Sequence, residues 1–430
     1  MKLSDTRKLC RRAFVKKTGQ AVVTTALASG LFISGCRKKE HTKLKLGVTG
    51  FSADAYRKII DELGFTEQTG IEVDIVLRPK TTNELLIQMA SSVQAGTSPY
   101  DLIDFEDAVA MSLSRAGWLA PLDSLISQEV WNDFTPALMD LTKTWDQYKG
   151  ETFRIHHNFE MCYWWYRKDW FDLKGTSVPK NWDDVREMGK VFTDKNSGVW
   201  ATEEALIKNF NLSVYFEWIT RQAGGNPYHA DQALETALQY IHDLMFKHDT
   251  MNPACIQKNY DQQNNDYIAD RVAFMRQWPF FYDVTRQHKQ WFAPDKVVCG
   301  LPPVGPAGMN TSTYACGWGW GIPKTAPKFD EACELFKFLI ASKNAPKLID
   351  YSSWFLNARH SVLKAAGNSG LVNNMKMYLD AGIVTTRPLH WRRYIEAVTK
   401  IENVASAYLT NQISLPEAMT SARAKMAFLS

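Results

Sequence analysis

After its first forty residues the sequence has no run of eighteen uncharged apolar residues, so no internal membrane span is expected. Cysteine is sparse. Beyond residue 36 there are five, Cys162, Cys255, Cys299, Cys316 and Cys333, and they form no C-x-x-C pair and no zinc-ligand spacing. Each is expected to be a buried apolar thiol, and no disulfide is assignable. There is no G-x-G-x-x-G, no C-x-x-C-H and no cysteine cluster, so no cofactor and no metal are expected. Internal repeats and low-complexity tracts are absent. So is a surplus of one charge once the amino-terminal leader is set aside. Seven of the 50 Lys and Arg and one of the 46 Asp and Glu precede Cys36, which leaves 43 basic against 45 acidic side chains. No nucleic-acid footprint survives that correction.

The leader itself is distinctive. Arg7 to Lys17 is basic, and Thr18 to Gly35 is uncharged, which is the order of an export signal and too short for a stable span. Arg11-Arg12-Ala13-Phe14-Val15-Lys16 looks like a twin-arginine signal. Ile33-Ser34-Gly35-Cys36 resembles a bacterial lipobox, which would place diacylglycerol on Cys36 and make it the mature amino terminus. Residues 1–35 are therefore expected to be a signal peptide and 36–43 an anchor linker.

The remainder is long enough for two or three domains, and 45% hydrophobic with 22% charged residues marks it as globular. Thr42 to Val48 and Ile71 to Leu77 alternate as strands, and Tyr100 to Phe105 is a third. Helices are predicted at Ala53–Leu63, where Ala55, Ile59, Ile60 and Leu63 share a face, and at Thr82–Ala95 with a cap at Thr81 or Thr82. Strands alternating with helices argue for βαβ units and a mostly parallel sheet, in which ligands bind beyond the carboxyl ends of the strands. Phe51 and Ser52 stand at one such end, and Asp104, Glu106 and Asp107 at another. Ser52 and Asp107 have helix capping as the alternative. Phe153 to Tyr166 reads as an extended crossing segment, Ser352 to His360 as extended chain, and Leu301 to Gly308 as a loop. Helices are predicted at 215–223, 231–247, 329–342, 392–410 and 415–428.

One stretch stands out: Thr311 to Pro323 contains Gly317-Trp318-Gly319-Trp320-Gly321. In an extended chain both indoles point to one side. The glycines indicate close approach of a ligand or of another backbone. A core strand and a ligand wall both fit that pattern.

Several segments in fixed order resemble the maltose-binding-protein-like solute-binding proteins of ABC sugar importers. They are Tyr100-Asp101-Leu102-Ile103, Gly117 to Asp123, Tyr166 to Phe171 with Pro179 to Asp184, Arg271 to Met275, and Gly317 to Pro323. The resemblance implies an α/β, two-lobed periplasmic-binding-protein fold of type II-like topology, with crossings near Arg154–Asn158, Met309–Tyr314 and Ser353–Arg359. It places 44–156 with 312–354 in one lobe and 157–311 with 355–430 in the other. It also implies a monomeric, lipid-anchored receptor in the periplasm or at the cell surface, delivering a sugar or oligosaccharide to importer permease subunits without altering it. Departures occur at Arg167, where the family has Asn, and around Trp354, Phe355, Asn357 and Ala358.

Sugars present hydroxyl rims and C–H faces, so a site needs bidentate polar groups and aromatic platforms. Trp278, Trp318, Trp320 and Trp354 are the candidate platforms, with Trp164, Trp165 and Trp182 left to the core. Asp104, Glu106 and Asp107 are candidate hydroxyl acceptors. His157 and Asn158 lie on the first crossing, and Arg359 either holds a hydroxyl or pairs with an acid across the hinge. Two other classes stay open, an exported carbohydrate hydrolase and a binding protein for a non-sugar polar solute.

Overall fold

The computed structural model describes residues 42–79, 81–287, 296–306, 312–367, 370–387 and 393–429. The expected signal and Cys36 lie outside the described residues, as does part of the expected crossing at 309–314. Among the described residues, no helix is long and apolar enough to cross a membrane.

In chain order the strands are β1 (Thr42–Val48), β2 (Ile71–Leu77), β3 (Leu102–Glu106), β4 (Gln147–Tyr148), β5 (Glu151–Thr152), β6 (Ile155–His156) and β7 (Glu160–Met161). They continue with β8 (Tyr163–Arg167), β9 (Trp200–Thr202), β10 (Val272–Gln277), β11 (Val297–Gly300), β12 (Thr313–Cys316), β13 (Trp318–Gly321) and β14 (Val384–Thr386).

The first sheet has the order β2-β1-β3-β13-β6. β1 buries every second residue, Leu44, Leu46 and Val48, as its alternation predicts. It pairs in parallel with β2 and β3. β3 lies inside the sheet and is buried along Leu102–Phe105, as expected of a strand covered on both faces. The helix Ala53–Glu62 sets Tyr56, Ile59 and Ile60 against this sheet, and the helix Thr82–Gln94 begins with a Thr81–Glu84 capping box.

A second sheet, β11-β8-β10-β9, carries the rest of the core. Its aromatic weight is packing. Trp164 stacks on Phe274 at 4.9 Å, and Trp182 stacks on Tyr240 at 3.9 Å. The third sheet, β14-β12-β7, is small and joins the other two. Residues 155–167 run from β6 in the first sheet through β7 in the third to β8 in the second. The chain returns through β12 and β13. Two lobes linked by crossing strands follow from that connectivity.

Gly319 in β13 and Gly317 just before it are explained here. A Cβ on Gly319 would sit 2.6 Å from the Ile155 carbonyl oxygen, and one on Gly317 would sit 2.5 Å from the Trp145 ring. The close neighbour is the first crossing strand and the side chain behind it, so the requirement is for backbone approach.

Two expectations change. Ser352–His360 is not extended throughout, because Ser353–Phe355 forms a 3-10 turn. The Ser352 hydroxyl accepts from the Trp354 N–H, and the Asp283 carboxylate accepts from both serine hydroxyls and the Ser353 N–H. Those local bonds compete with the extended form. The five described cysteines are free, four of them buried and Cys299 half-buried.

Candidate functional site between the lobes

Three loops leave the carboxyl ends of the parallel strands together. After β1 comes Phe51, after β2 Arg78, and after β3 Asp107. Phe51 is 66% exposed and forms an aromatic corner with Trp318 and Trp354. Its ring centroid lies 5.9 Å from Trp318 and 4.6 Å from Trp354, edge-on to both, and the two indoles are 4.8 Å apart. The Arg78 guanidinium lies 4.9 Å from the Trp318 ring, an attractive cation–π distance. Trp318 is half-buried and stands opposite Glu106 in the β13–β3 register, so an indole face and a carboxylate share one side of the sheet. Glu106 also accepts from the Thr82 hydroxyl at 2.7 Å.

Asp104, His157 and Trp320 come together behind that corner. Trp320 is 2% exposed and donates its indole N–H to the Tyr56 hydroxyl at 2.8 Å. Tyr56 donates to Asp104 Oδ2 at 2.7 Å, and His157 Nε2 meets Asp104 Oδ1 at 2.9 Å. The His157 ring lies 4.3 Å from Trp320. These groups bond one another inside the lobe, leaving Nδ1 of His157 without a partner. Trp318 and Trp320 share a face as predicted, one at its open end and one at its closed end. Ser52 and Asp107 do not cap helices through their side chains. Ser52 bonds Thr49, and Asp107 takes an arginine.

The first crossing supplies the floor. Asn158 donates to the Trp354 carbonyl at 2.7 Å, and its Oδ1 accepts from the Trp318 N–H at 3.4 Å, so one amide ties both indole-bearing segments. Glu160, two residues on, is buried beside it. Burial pushes the Glu160 carboxyl up to about 8, with the nearby Asp107 adding to the shift and Asn158 and Arg387 opposing it. Arg154 fastens the wall from below, donating to Asp146 at 2.7 Å and to the Phe105 and Gly317 carbonyls at 3.0 Å each.

On the far side stands Arg387, just beyond β14. Its guanidinium reaches Asp107 Oδ1 at 2.5 Å, Glu106 Oε2 at 3.5 Å and the Tyr314 hydroxyl at 2.7 Å. Tyr314 touches Trp278 with 6.3 Å between ring centres, and Tyr260 flanks Trp278 at 6.5 Å. Glu217 accepts from the Tyr228 and Tyr394 hydroxyls and lies within the same charged group. Arg359 is engaged elsewhere, donating to Asp133, the Ile340 carbonyl and Ser342, the acid-pairing alternative raised by the sequence. The helices Thr82–Gln94 and Asp107–Arg115 face the helix Tyr394–Leu409. The recess between them has a volume of about 520 Å³ and lies between Asn83 and Ser112 on one side and Glu396 and Lys400 on the other.

Arg387, Glu160, Glu217 and Arg78 were missed by sequence reasoning. Glu160 lies on the predicted first crossing, two residues past Asn158, and that was a usable signal. Arg387 follows a three-residue strand with no motif around it, and nothing local marks it.

The model for bacterial extracellular solute-binding proteins matches residues 52–346. The chain belongs to that family. Among solved structures, the maltose-bound MalE3 of T. maritima superposes with a TM-score of 0.79 at 20% identity, over 90% of this chain and all of that one. A solute-binding protein of Agrobacterium radiobacter K84 in complex with ribitol gives 0.77 at 18% identity, over 90% and 99% of the two chains. The GacH receptor of Streptomyces glaucescens, described unliganded and with acarbose, gives 0.74 at 16%, over 89% and 97%. At such identities the likeness carries the fold alone. This solute-binding protein has the two-lobed MalE-like architecture that the ordered motifs implied.

Proposed function

We propose that the protein is an extracytoplasmic receptor that captures a sugar or polyol and hands it unaltered to an ABC importer. The observation that carries this reading is the aromatic corner of Phe51, Trp318 and Trp354 at the carboxyl ends of the parallel strands, with Glu106 beside Trp318. Apolar ring faces next to a carboxylate match the C–H faces and hydroxyl rims of a carbohydrate. The ligands named for the structural relatives, maltose, ribitol and acarbose, belong to the same chemical class.

In this reading residues 44–156 with 312–354 and residues 157–311 with 355–430 are the two lobes, closing on ligand by hinge motion. The protein acts as a monomer, exported by the twin-arginine route and anchored through Cys36 at a bacterial membrane. It has no catalytic role. The test is a thermal-shift and calorimetric screen of the purified protein against monosaccharides, oligosaccharides and polyols. A ligand that binds only the folded protein raises its melting temperature, and chromatography should recover that ligand intact. Hydrolysis of the ligand, or no binding across the whole screen, refutes the reading.

A further inference from the structure

Three carboxyl groups, Glu106, Asp107 and Glu160, lie around the Arg387 guanidinium at the floor of the site, with Arg154 and Arg78 nearby. Asp107 and Glu106 share the single guanidinium of Arg387, Asp107 at 2.5 Å and Glu106 at 3.5 Å. Glu160 has no Lys, Arg or His within ion-pair distance among the described residues, and is 4% exposed. Its Oε1 has no hydrogen-bond partner, and neither has Oδ2 of Asp107. The two carboxyls lie within electrostatic reach of each other and of Arg387. The Trp354 indole N–H is likewise buried and unpartnered. Buried polar atoms are nearly always satisfied, so orphans gathered beside a binding wall mark places where a ligand's groups go.

The missing partner has a definite chemistry. A sugar hydroxyl would give Glu160 one hydrogen bond and no charge. An ammonium group offers three donors and the counter-charge together, forming the stronger charge-assisted bond. A buried carboxylate without a cation is strongly disfavoured, so such a group takes up a proton instead. Resting on the reading above, we infer that the ligand is an amine-bearing carbohydrate, an amino sugar or aminated polyol, and that Glu160 receives its ammonium group. The Asp107 carboxylate, whose field reaches Glu160, favours the same positive charge, and the Trp354 N–H donates to a ring or hydroxyl oxygen of the same ligand.

Beyond burial, three groups bear on the Glu160 titration: Asn158 on its own crossing segment and Arg387 beyond β14 favour the charged form, and Asp107 from the helix after β3 opposes it, while Cys162, Tyr163 and Cys316 beside it are kept neutral by burial. Burial holds the Glu160 carboxyl near 8, so binding an ammonium below that pH displaces a proton. Binding of a neutral sugar would not.

The test is isothermal titration of the purified protein with glucosamine, galactosamine and glucamine. Each is paired with its N-acetyl form and its neutral parent, and each titration is run at pH 7 in phosphate and in MOPS, neither of which carries a primary amine. The inference expects at least one amine to bind tenfold or more tightly than both its neutral counterparts, with a binding heat that differs between the buffers as a proton is released. Glu160→Gln should bring that preference within twofold. Because the wild-type buffer dependence needs no variant, a failure of Glu160→Gln to fold leaves the inference testable. Neutral sugars or polyols binding as well as the amines, or a preference unchanged by Glu160→Gln, overturns it while the receptor reading stands. Absence of binding by amines, neutral monosaccharides, oligosaccharides and polyols alike overturns both.

Discussion

The Trp318 indole is half-buried, leans on Arg78 from one side and meets Phe51 and Trp354 at its edge. One such face against a sugar contributes on the order of 1 kcal/mol, about fivefold in affinity. Trp318→Ala and Trp354→Ala should each weaken ligand binding at least fivefold by calorimetry. Values within twofold of wild type would remove this corner from the site. Glu160 gives a second prediction from the same scale. A carboxyl whose folded-state pKa is raised binds more protons folded than unfolded, so it lowers stability as pH rises from about 4.5 towards 8. Glu204 and Glu402, each pushed by burial to about 7, add effects of the same sign. Glu160→Gln should therefore melt above wild type at pH 9 and close to it at pH 5. An equal difference at both pH values would refute the assignment.

Among elements, the contact between the segment after β14 and the helix Asp107–Arg115 joins parts of the chain 280 residues apart. Arg387 is buried there with Asp107, whose carboxyl is raised by burial against the pull of Arg387 and Arg154. Removing the cation alone strands a buried carboxylate. Arg387→Met should cost about 3–5 kcal/mol in chemical denaturation, and Asp107→Asn with Arg387→Met together should cost less than the single change. Additive losses would show that the two side chains are not coupled. β13 carries a different constraint. Gly319→Val would press on the Ile155 carbonyl and the His156 backbone, and should cost about 1–3 kcal/mol through overpacking. A melting temperature unchanged by that substitution would deny the close approach of the first crossing strand.

For the whole molecule, the proposed function predicts that the two lobes close on ligand, with affinity reflecting contacts made when they shut. Small-angle scattering should show a smaller radius of gyration with saturating ligand than without it. An unchanged radius, with binding verified by calorimetry, would mean that ligand is held without closure.

What the sequence determined by itself was whatever depends on local periodicity and ordered motifs. The β1 and β2 alternation, the short β3, the helix spacing of Ala53–Glu62, the Thr81 cap and the ordered motifs from Tyr100 to Pro323 were legible because each is set by neighbours a few residues away. That Trp164 and Trp182 pack in the core was legible for the same reason. Tertiary structure decided how the candidates were spent. Trp318 and Trp320 are indistinguishable by spacing, yet Trp318 is half-buried beside Phe51 and Trp354 while Trp320 is buried and bonds Tyr56, because the helix Ala53–Glu62 covers only the second. Arg387 and Glu160 gained their meaning from partners far away in the chain, and burial of charge is a property of the packed structure that no short window of sequence contains.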